Sequence, residues 1–537
     1  MGIYKLRTDF ATHMKVLLWV VLVIFVVGAI WSFGAAPFIQ KAKKKEVVML
    51  VGEKPVHRSD FEAEWDRIYK LAQQRGMKSP LEFANLKQMI VDNMIESQKL
   101  ITVAEEEGIV ITKKDVKAAK EERIIEVLKQ NRNAIMGDLD EAAEAVDPRK
   151  DKKFLKTLSE NGMSIDSIIS EANANVSDLS IKAELAQKQL QDRAEAKVKD
   201  LTKEDVKNSY KSFGISQIVV AEDKSTPEEA KANADKAYAE LQGGADFDKV
   251  KSKYSTVQGF PGMEYNPVDM PWILPAKVGD AVKNLSEGKY TEVIKSDKSY
   301  YIVKVDKITD KAPANLDEKT INDRKEAIKQ SVQQAMFSEI QEKEDAIKEI
   351  DVKDPEFNGY YHCLLAEKEM TPEASKGEYT KAVACFTEAL KKDEQLGKEV
   401  INAKLADTYF KMGDYKKCND TLYAMLDGKD STTEAYDLRA LYGDSLAKIG
   451  EKAKAIDQYI QAGMLNKSDA AFQDEMSMKL GELGAAQESA AAKAKANEIR
   501  DYEEKQQAEM MKKMQEEQAK EEAKKKAEEN KKPEEKK

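Results

Sequence analysis

Apolar and polar positions divide the chain into regions of different periodicity. The first is a run without charge, VLLWVVLVIFVVGAIWSFGAAPFI, from Val16 to Ile39. It is long enough to span a bilayer as a helix. Trp19 and Trp31 sit near its ends, where interfacial aromatics are favoured. The run exceeds the apolar core of a signal peptide. An uncleaved anchor over 16–39 is therefore expected, behind a short N-terminus of residues 1–15. Cleavage near Gly34-Ala35-Ala36 is the alternative. Lys5, Arg7 and Lys15 precede the run, and Lys41, Lys43, Lys44 and Lys45 follow it, so charge alone does not orient it.

Beyond the anchor the pattern becomes helical. Residues 47–51 (VVMLV) read as a short strand. Ser59-Asp60-Phe61-Glu62 then forms a capping box, with Ser59 as N-cap, and Phe61, Trp65 and Ile68 share one helix face. Leu86, Ile90, Met94, Ile101 and Ala104 continue as a second amphipathic helix that Gly108 ends, and Thr112–Asp115 caps the next. Phe154, Leu158, Gly162, Ile168 and Ile169 repeat this helix–turn–helix logic, and Thr202–Asp205 caps a helix predicted to run to Phe213. The period then changes. Ile215–Ala221 reads as a strand, Thr226-Pro227-Glu228-Glu229 starts a helix that Gly243-Gly244 stops, and Tyr290–Ile294 and Tyr300–Val305 read as strands. Past the linker Lys311–Ala314, Ile321, Ile328, Val332, Met336 and Ile340 mark a helix over 316–350.

The C-terminal third repeats itself. Gly377, Gly413 and Gly450 recur at spacings of 36 and 37 residues, each followed by small and apolar residues at helical spacing. That period is close to the 34 residues or so of a tetratricopeptide unit. A weaker fourth unit falls near Leu480–Ala486. The pattern is similar to paired tetratricopeptide helices over 355–490, whose stacking leaves a concave groove. Ala403, Asp407, Ala440 and Asp444 map to that groove. They lack the Lys and Asn pattern that grips a C-terminal carboxylate, so a helix or an extended segment is the expected ligand. Dimerisation or spacing is the alternative role. Residues 491–537 are Ala, Glu, Lys and Gln, a solvated helix fraying into a charged tail.

Composition narrows the function. The chain has 537 residues, 34% of them charged and 7% aromatic, with a net charge of −10. Duplex nucleic acid is excluded as a partner, since binding it needs a basic surface. Cys363, Cys385 and Cys418 have no metal-ligand spacing and read as small buried residues. His13, His57 and His362 are scattered, so no metal and no cofactor is expected.

The segment from Ile215 to Ile308 resembles a parvulin-type prolyl isomerase domain. The resemblance rests on Gln217-Ile218-Val219-Val220, Gly244-Ala245-Asp246-Phe247, Tyr254-Ser255, Gly259 to Gly262, Met270, Leu285–Gly288 and Ser299-Tyr300-Tyr301-Ile302-Val303. It implies a small α+β domain over 213–310. Such an enzyme twists an X–Pro bond over a barrier of roughly 18–20 kcal/mol, using two histidines and a Cys or Asp beside the carbonyl. Here Gln217 and Tyr301 stand in the histidine positions, and Val257 in that of the Cys or Asp. Neither Gln217 nor Tyr301 takes a charge near neutral pH as histidine does. Met270 corresponds to a wall of the proline cup, with Leu274 or Val278 beside it. The resemblance leaves three readings open: a cleft that holds proline-bearing segments with little activity, an active isomerase using Gln217 and Tyr301, or a spacer.

Residues 46–210 resemble the N-terminal chaperone domain of the SurA and PpiD-type periplasmic foldases. The match lies in VVMLVGEKPVHRSDFEAEW, LKQMIVDNMIESQKLITVAEEEGIVITKKDV and FLKTLSENGMSIDSII. In that family a helix after the isomerase domain packs back onto this lobe, a part that 316–350 suits. A generic helical domain is the reading without the resemblance. Together these features give a multidomain, mainly α protein with an N-terminal transmembrane helix, a helical chaperone lobe, a parvulin-like domain and an α-solenoid. The resemblance implies a single-pass protein of the cytoplasmic membrane with its bulk in the periplasm. It would work near the Sec translocon on unfolded or nascent secreted and outer-membrane polypeptides. An envelope assembly scaffold acting through the repeats is the rival.

Overall fold

The computed structural model describes residues 46–529 apart from 138–145, 175, 199, 223–225, 258–262, 297, 392–396 and 429–434. Residues 1–15, the expected anchor 16–39, the glycine loop 258–262 and the end of the tail lie outside the described residues. Among the described residues no helix is long and apolar enough to cross a membrane. The chain forms two compact units. One comprises the chain up to Ala63 together with Asn93–Asp351, the other Glu64–Asp92 together with the chain from Val352 onward. The segment 64–92 thus groups with the C-terminal helices and not with the rest of 46–210.

In the first unit, β1 (Val47–Val51) and β2 (Lys54–His57) pair antiparallel. Helix α1 spans Arg58–Gln74 and α2 spans Pro80–Glu106, and their residues within 64–92 belong to the second unit. The first helix starts at Arg58, so Ser59 lies inside its first turn and is not the cap. Gly108, at φ 75°, follows the end of α2, a conformation glycine adopts without a Cβ penalty. Thr112 and Asp115 form a reciprocal capping box at the start of α3 (Lys113–Met136). Then come α4 (Lys152–Glu160), α5 (Ile165–Ala174), α6 (Asp178–Val198) and α7 (Lys203–Asn208). Buried Asp60 joins two helix starts: it accepts the His57 amide at 3.3 Å, the Ser177 hydroxyl at 2.9 Å and the Leu179 amide at 3.1 Å. The last of these helices stops five residues short of the predicted Phe213. Its final turn is diverted because Asn266 takes the Ser209 carbonyl at 3.2 Å and Arg324 also donates to it.

Lys211 instead opens β3 (Lys211–Ala221), followed by α8 (Pro227–Gln242), α9 (Phe247–Tyr254), β4 (Met263–Tyr265), α10 (Ala276–Lys283), β5 (Ile294–Ser296) and β6 (Ser299–Asp310). The sheet order is β4-β3-β6-β5, all antiparallel. The expected strand over Tyr290–Ile294 reduces to one bridge, Tyr290 to Lys304, ahead of β5. Strand alternation gives the sheet two buried faces. Ile218, Val220, Tyr300 and Ile302 pack on Ala230, Ala234, Ala237, Leu241 and Phe247. Phe213, Ile215, Val303 and Val305 pack on Leu274, Val278 and Val282. Helix α11 (Glu318–Ala346) then buries Ile340 among Val103, Ala104, Ala186 and Leu190, and Ile321 and Ile328 with Val206. It ends before the predicted Ile350, because β7 (Ile350–Val352) leaves it to lie beside β1 in the order β2-β1-β7.

The second unit continues with α12 (Pro355–Lys368), α13 (Pro372–Ala389), α14 (Lys398–Lys411), α15 (Tyr415–Leu426), α16 (Tyr436–Lys448), α17 (Lys452–Leu465), α18 (Ala470–Glu482) and α19 (Ala486–Glu529). Gly413, Gly450 and Gly484 take φ of 78°, 84° and 83° in the turns after α14, α16 and α18. Gly377 differs: it lies within α13, and the turn before that helix is capped by Thr371 with Pro372 at N1. The glycines that matter for packing lie elsewhere. A Cβ on Gly359 would stand 2.4 Å from the Phe386 ring, and one on Gly443 would stand 2.4 Å from the Tyr459 ring. Cys363 and Cys418 are buried free thiols, which burial pushes up to about 11 and about 12; Cys385 is half-buried.

Candidate functional site

The parvulin-like sheet positions the first group of candidate residues. Gln217 pairs in register with Val303, and Tyr301 with Val219. Residues two apart on a strand share a face, so Gln217 and Tyr301 are diagonal neighbours on one face of β3 and β6. The segment after α9 runs along this end of β3. The Thr256 amide donates to the Val219 carbonyl at 2.8 Å, and the Val219 and Ala221 amides donate to the Ser255 and Thr256 hydroxyls at 3.1 and 2.9 Å. Val257 follows directly, 42% exposed, with its carbonyl accepting the Ser255 hydroxyl at 3.0 Å. The strand register thus places Gln217 and Tyr301 on one face, and the segment leading to Val257 runs along the same end of β3.

The chemistry available there is limited. The Gln217 side-chain amide oxygen is buried and has no hydrogen-bond partner among the described residues. A buried acceptor left unpaired costs about 1–3 kcal/mol. Val257 supplies no polar side-chain atom. Gln217 and Val257 carry no ionisable side chain, which leaves hydrogen bonding and apolar contact as their means of acting on a peptide.

The proline-cup residues separate. Leu274 is 2% exposed and Val278 fully enclosed, both in the core against which Tyr301 packs. They back the sheet and offer no open wall to a ring, a correction to the sequence reading. Met270 is half-buried in a loop built on Asn266. The Asn266 side chain donates to the Ser209 and Lys211 carbonyls at 3.2 and 3.1 Å and accepts the Val268 and Asp269 amides, both at 2.9 Å. Its backbone carbonyl accepts the Met270 amide at 2.9 Å. From the other side Ser331 donates to the Pro267 carbonyl at 2.7 Å and Arg324 ion-pairs with Asp269. Asn266 and Arg324 were not among the sequence candidates. The Asn-Pro dipeptide at 266–267 signalled a turn, whereas Arg324 is one cation among many on a charged helix.

The groove residues of the C-terminal helices also differ from expectation. Ala403 and Ala440 are buried in the core between helices. Asp407 is held by Lys404 and Lys411, both at 3.3 Å, and Asp444 accepts the Tyr459 hydroxyl at 2.8 Å and Lys479 at 2.7 Å. Their carboxylates are committed within the helix stack.

Comparison with known proteins assigns the first two segments. Residues 5–123 match the SurA-like N-terminal domain, and residues 215–319 match the PPIC-type PPIase domain. The foldase protein PrsA of Geobacillus sp. (strain WCH70) is 32% identical over 169 residues, which are 29% of this chain and 55% of that protein. The chain thus spans about half the length of the curated relative it matches. The crystal structure of peptidylprolyl isomerase (PrsA) from Bacillus cereus is 20% identical, with a TM-score of 0.20, covering 47% of this chain and 93% of that one. A structure of MamA, residues 41 to the end, from Desulfovibrio magneticus RS-1 is 16% identical, with a TM-score of 0.23, covering 34% and 93%. Neither score is high enough to carry an argument. The chain carries a SurA-like N-terminal domain followed by a PPIC-type parvulin domain and is similar, over 29% of its length, to the foldase PrsA.

Proposed function

We propose that this chain is a foldase-type chaperone that holds non-native polypeptides, with a parvulin domain of little or no isomerase activity. The observation that carries the reading is the pair Gln217 and Tyr301 on one sheet face, in the positions where the family has histidines. An amide and a phenol in place of two imidazoles are suited to holding an extended segment by hydrogen bonds and poorly suited to proton transfer near neutral pH. In this reading residues 16–39 anchor the chain in the cytoplasmic membrane, and the rest lies on the extracytoplasmic side near the Sec translocon. Tethering there raises the local concentration of binding sites for emerging chains. The helix pairs from Pro355 act as tetratricopeptide repeats. Their 37-residue interval from Gly413 to Gly450 and the positive φ of both glycines support this.

The test is a pair of assays on the full chain in detergent or nanodiscs. It slows aggregation of a refolding client at stoichiometric ratios, while its rate on an Ala-Pro peptide stays close to the uncatalysed rate. Isomerisation well above background would favour the active enzyme, with Gln217 and Tyr301 acting on the bond. Failure to slow aggregation would end the chaperone reading and leave the scaffold.

A further inference from the structure

Within the second unit, helix α2 carries a stripe of polar residues at helical spacing: Ser79 at its start, then Glu82, Asn85, Gln88 and Asp92. A polar stripe ordinarily faces water. This one meets the first helix of three successive pairs, and it meets them in order. At the start, the Ser79 hydroxyl donates to the Asp437 carboxylate at 2.6 Å, and the Tyr436 hydroxyl donates to Glu82 at 2.9 Å, so two helix N-termini interlock. One turn on, Lys404 of α14 donates to the Asn85 side-chain oxygen at 3.0 Å. Two turns on, Lys87 pairs with Glu356 of α12 at 2.7 Å and Gln88 donates to Glu367 at 3.1 Å. Lys368 lies 3.8 Å from Asp92. Leu81 packs on the apolar core of the helix stack. The helix therefore crosses α16, α14 and α12 in turn.

The receiving groups are arranged for this purpose. Lys404 is 2% exposed, a cation that would not be enclosed without fixed acceptors. Burial pushes the Asp437 carboxyl above the usual carboxylate range, and the Ser79 hydroxyl and the Leu438 amide offset that cost. Ser79 also serves its own helix, accepting the Leu81 amide at 3.1 Å while Glu82 accepts the Ser79 amide at 3.3 Å. What the stack reads is thus a helix start, Ser at the cap with Glu three later, then an amide and a Lys-Gln pair along the next two turns.

We propose that the face formed by α12, α14 and α16 is a helix-binding site and that residues 79–92 of this chain are its resident ligand, bound in cis. Apart from Leu81, the contact is made of hydrogen bonds and charge pairs, the character of interfaces that open and close. A foreign helix bearing the same cap and Lys-Gln pattern binds this face only by displacing that segment. The repeats are then not a vacant client groove. The inference stands on these contacts alone and is independent of chaperone activity.

Hydrogen exchange on the full chain tests it. Lys87→Glu and Glu356→Lys each speed exchange of the amides of 79–92 about tenfold, the loss of a partly buried ion pair. The swapped pair Lys87→Glu/Glu356→Lys restores protection. Amides of Ile218–Val220 and Ile302–Val303 serve as the folding control and stay unchanged. Single variants with wild-type protection, or a swap that fails to restore it, would overturn the assignment. Protection that falls on dilution would show a second copy as the occupant and overturn binding in cis.

Discussion

Arg324 ion-pairs with Asp269, fixing the loop that carries Met270 to the helix after the parvulin domain. The guanidinium is 6% exposed, donates to the Ser209 hydroxyl at 2.8 Å and lies 4.2 Å from the centre of the Tyr210 ring. Four groups therefore depend on one planar cation. Arg324→Ala leaves the Ser209 carbonyl short of a donor and Asp269 without its partner. A loss of about 2–4 kcal/mol is expected. Exchange at Val268–Met270 should accelerate together with it. Arg324→Lys should recover little, because an ammonium cannot reproduce the fork or the stacking. Thermal unfolding of the two variants checks this, and full recovery by lysine would show that charge alone matters.

Gly359 and Gly443 are equivalent points in the helix stack, each facing an aromatic ring of the following helix. Alanine ordinarily stabilises a helix interior by roughly 0.5–1 kcal/mol over glycine. Here the added Cβ would overlap ring carbons at 2.4 Å, and overpacking costs typically about 1–3 kcal/mol. Gly443→Ala and Gly359→Ala should therefore lower the melting temperature of the C-terminal unit, while Gly377→Ala, with open space around it, should leave it level or higher. Calorimetry on the three variants decides, and equal effects would remove the distinction.

The same glycines show where the sequence was legible. The capping boxes at Thr112, Thr202 and Thr226 are local, set by residues three apart, and all three form. So are the alternation in β3 and β6 and the turns at Gly413 and Gly450. Gly377 sits in the right phase of the repeat and looks like a turn, yet the Pro372 cap places the helix start five residues earlier. What could not be read were long-range partners. The end of α7 depends on Asn266 and Arg324, 57 and 115 residues away from Ser209. The polar stripe at 79–92 looks like a solvated face until its partners, 269 to 358 residues distant, are known. The family resemblance singled out Gln217 and Tyr301, but their diagonal placement is known only from the strand register, and the enclosure of Leu274 and Val278 only from the packing around α10.

Histidine can be introduced at both positions. Gln217→His/Tyr301→His places two imidazoles on one face of the sheet, where each can carry a proton near neutral pH. The double variant should isomerise an Ala-Pro peptide faster than wild type, by about tenfold or more on the scale of general acid–base effects. Each single variant should do less. The gain should stay incomplete, because Val257 still gives no polar atom beside the bond. NMR exchange spectroscopy on the peptide measures it. A wild-type rate already equal to the double variant would mean that Gln217 and Tyr301 suffice.

Glu344 gives the lobe a pH dependence of its own. It lies on α11, 9% exposed, and its carboxyl is pushed up from the ordinary 4.5 to about 7. Burial is the main cause; Glu96 and Asp345 add repulsion, and Lys99 partly opposes them. An acid whose folded pKa is raised binds its proton more tightly in the folded state. The stability tied to that proton is fully present below about pH 4.5 and is lost as pH rises through 7. Above that, the folded chain carries a buried charge at a cost on the order of 1–3 kcal/mol. Glu344→Gln keeps the shape and removes the charge. Its melting temperature should match wild type near pH 5 and exceed it by a few degrees at pH 8, with the gap opening between 5 and 7.5. Many other carboxylates titrate in this chain, but they are common to both proteins and cancel in the difference. A gap that is constant with pH would mean that Glu344 is paired or hydrated in the folded chain, and a gap that closes toward pH 8 would reverse the sign.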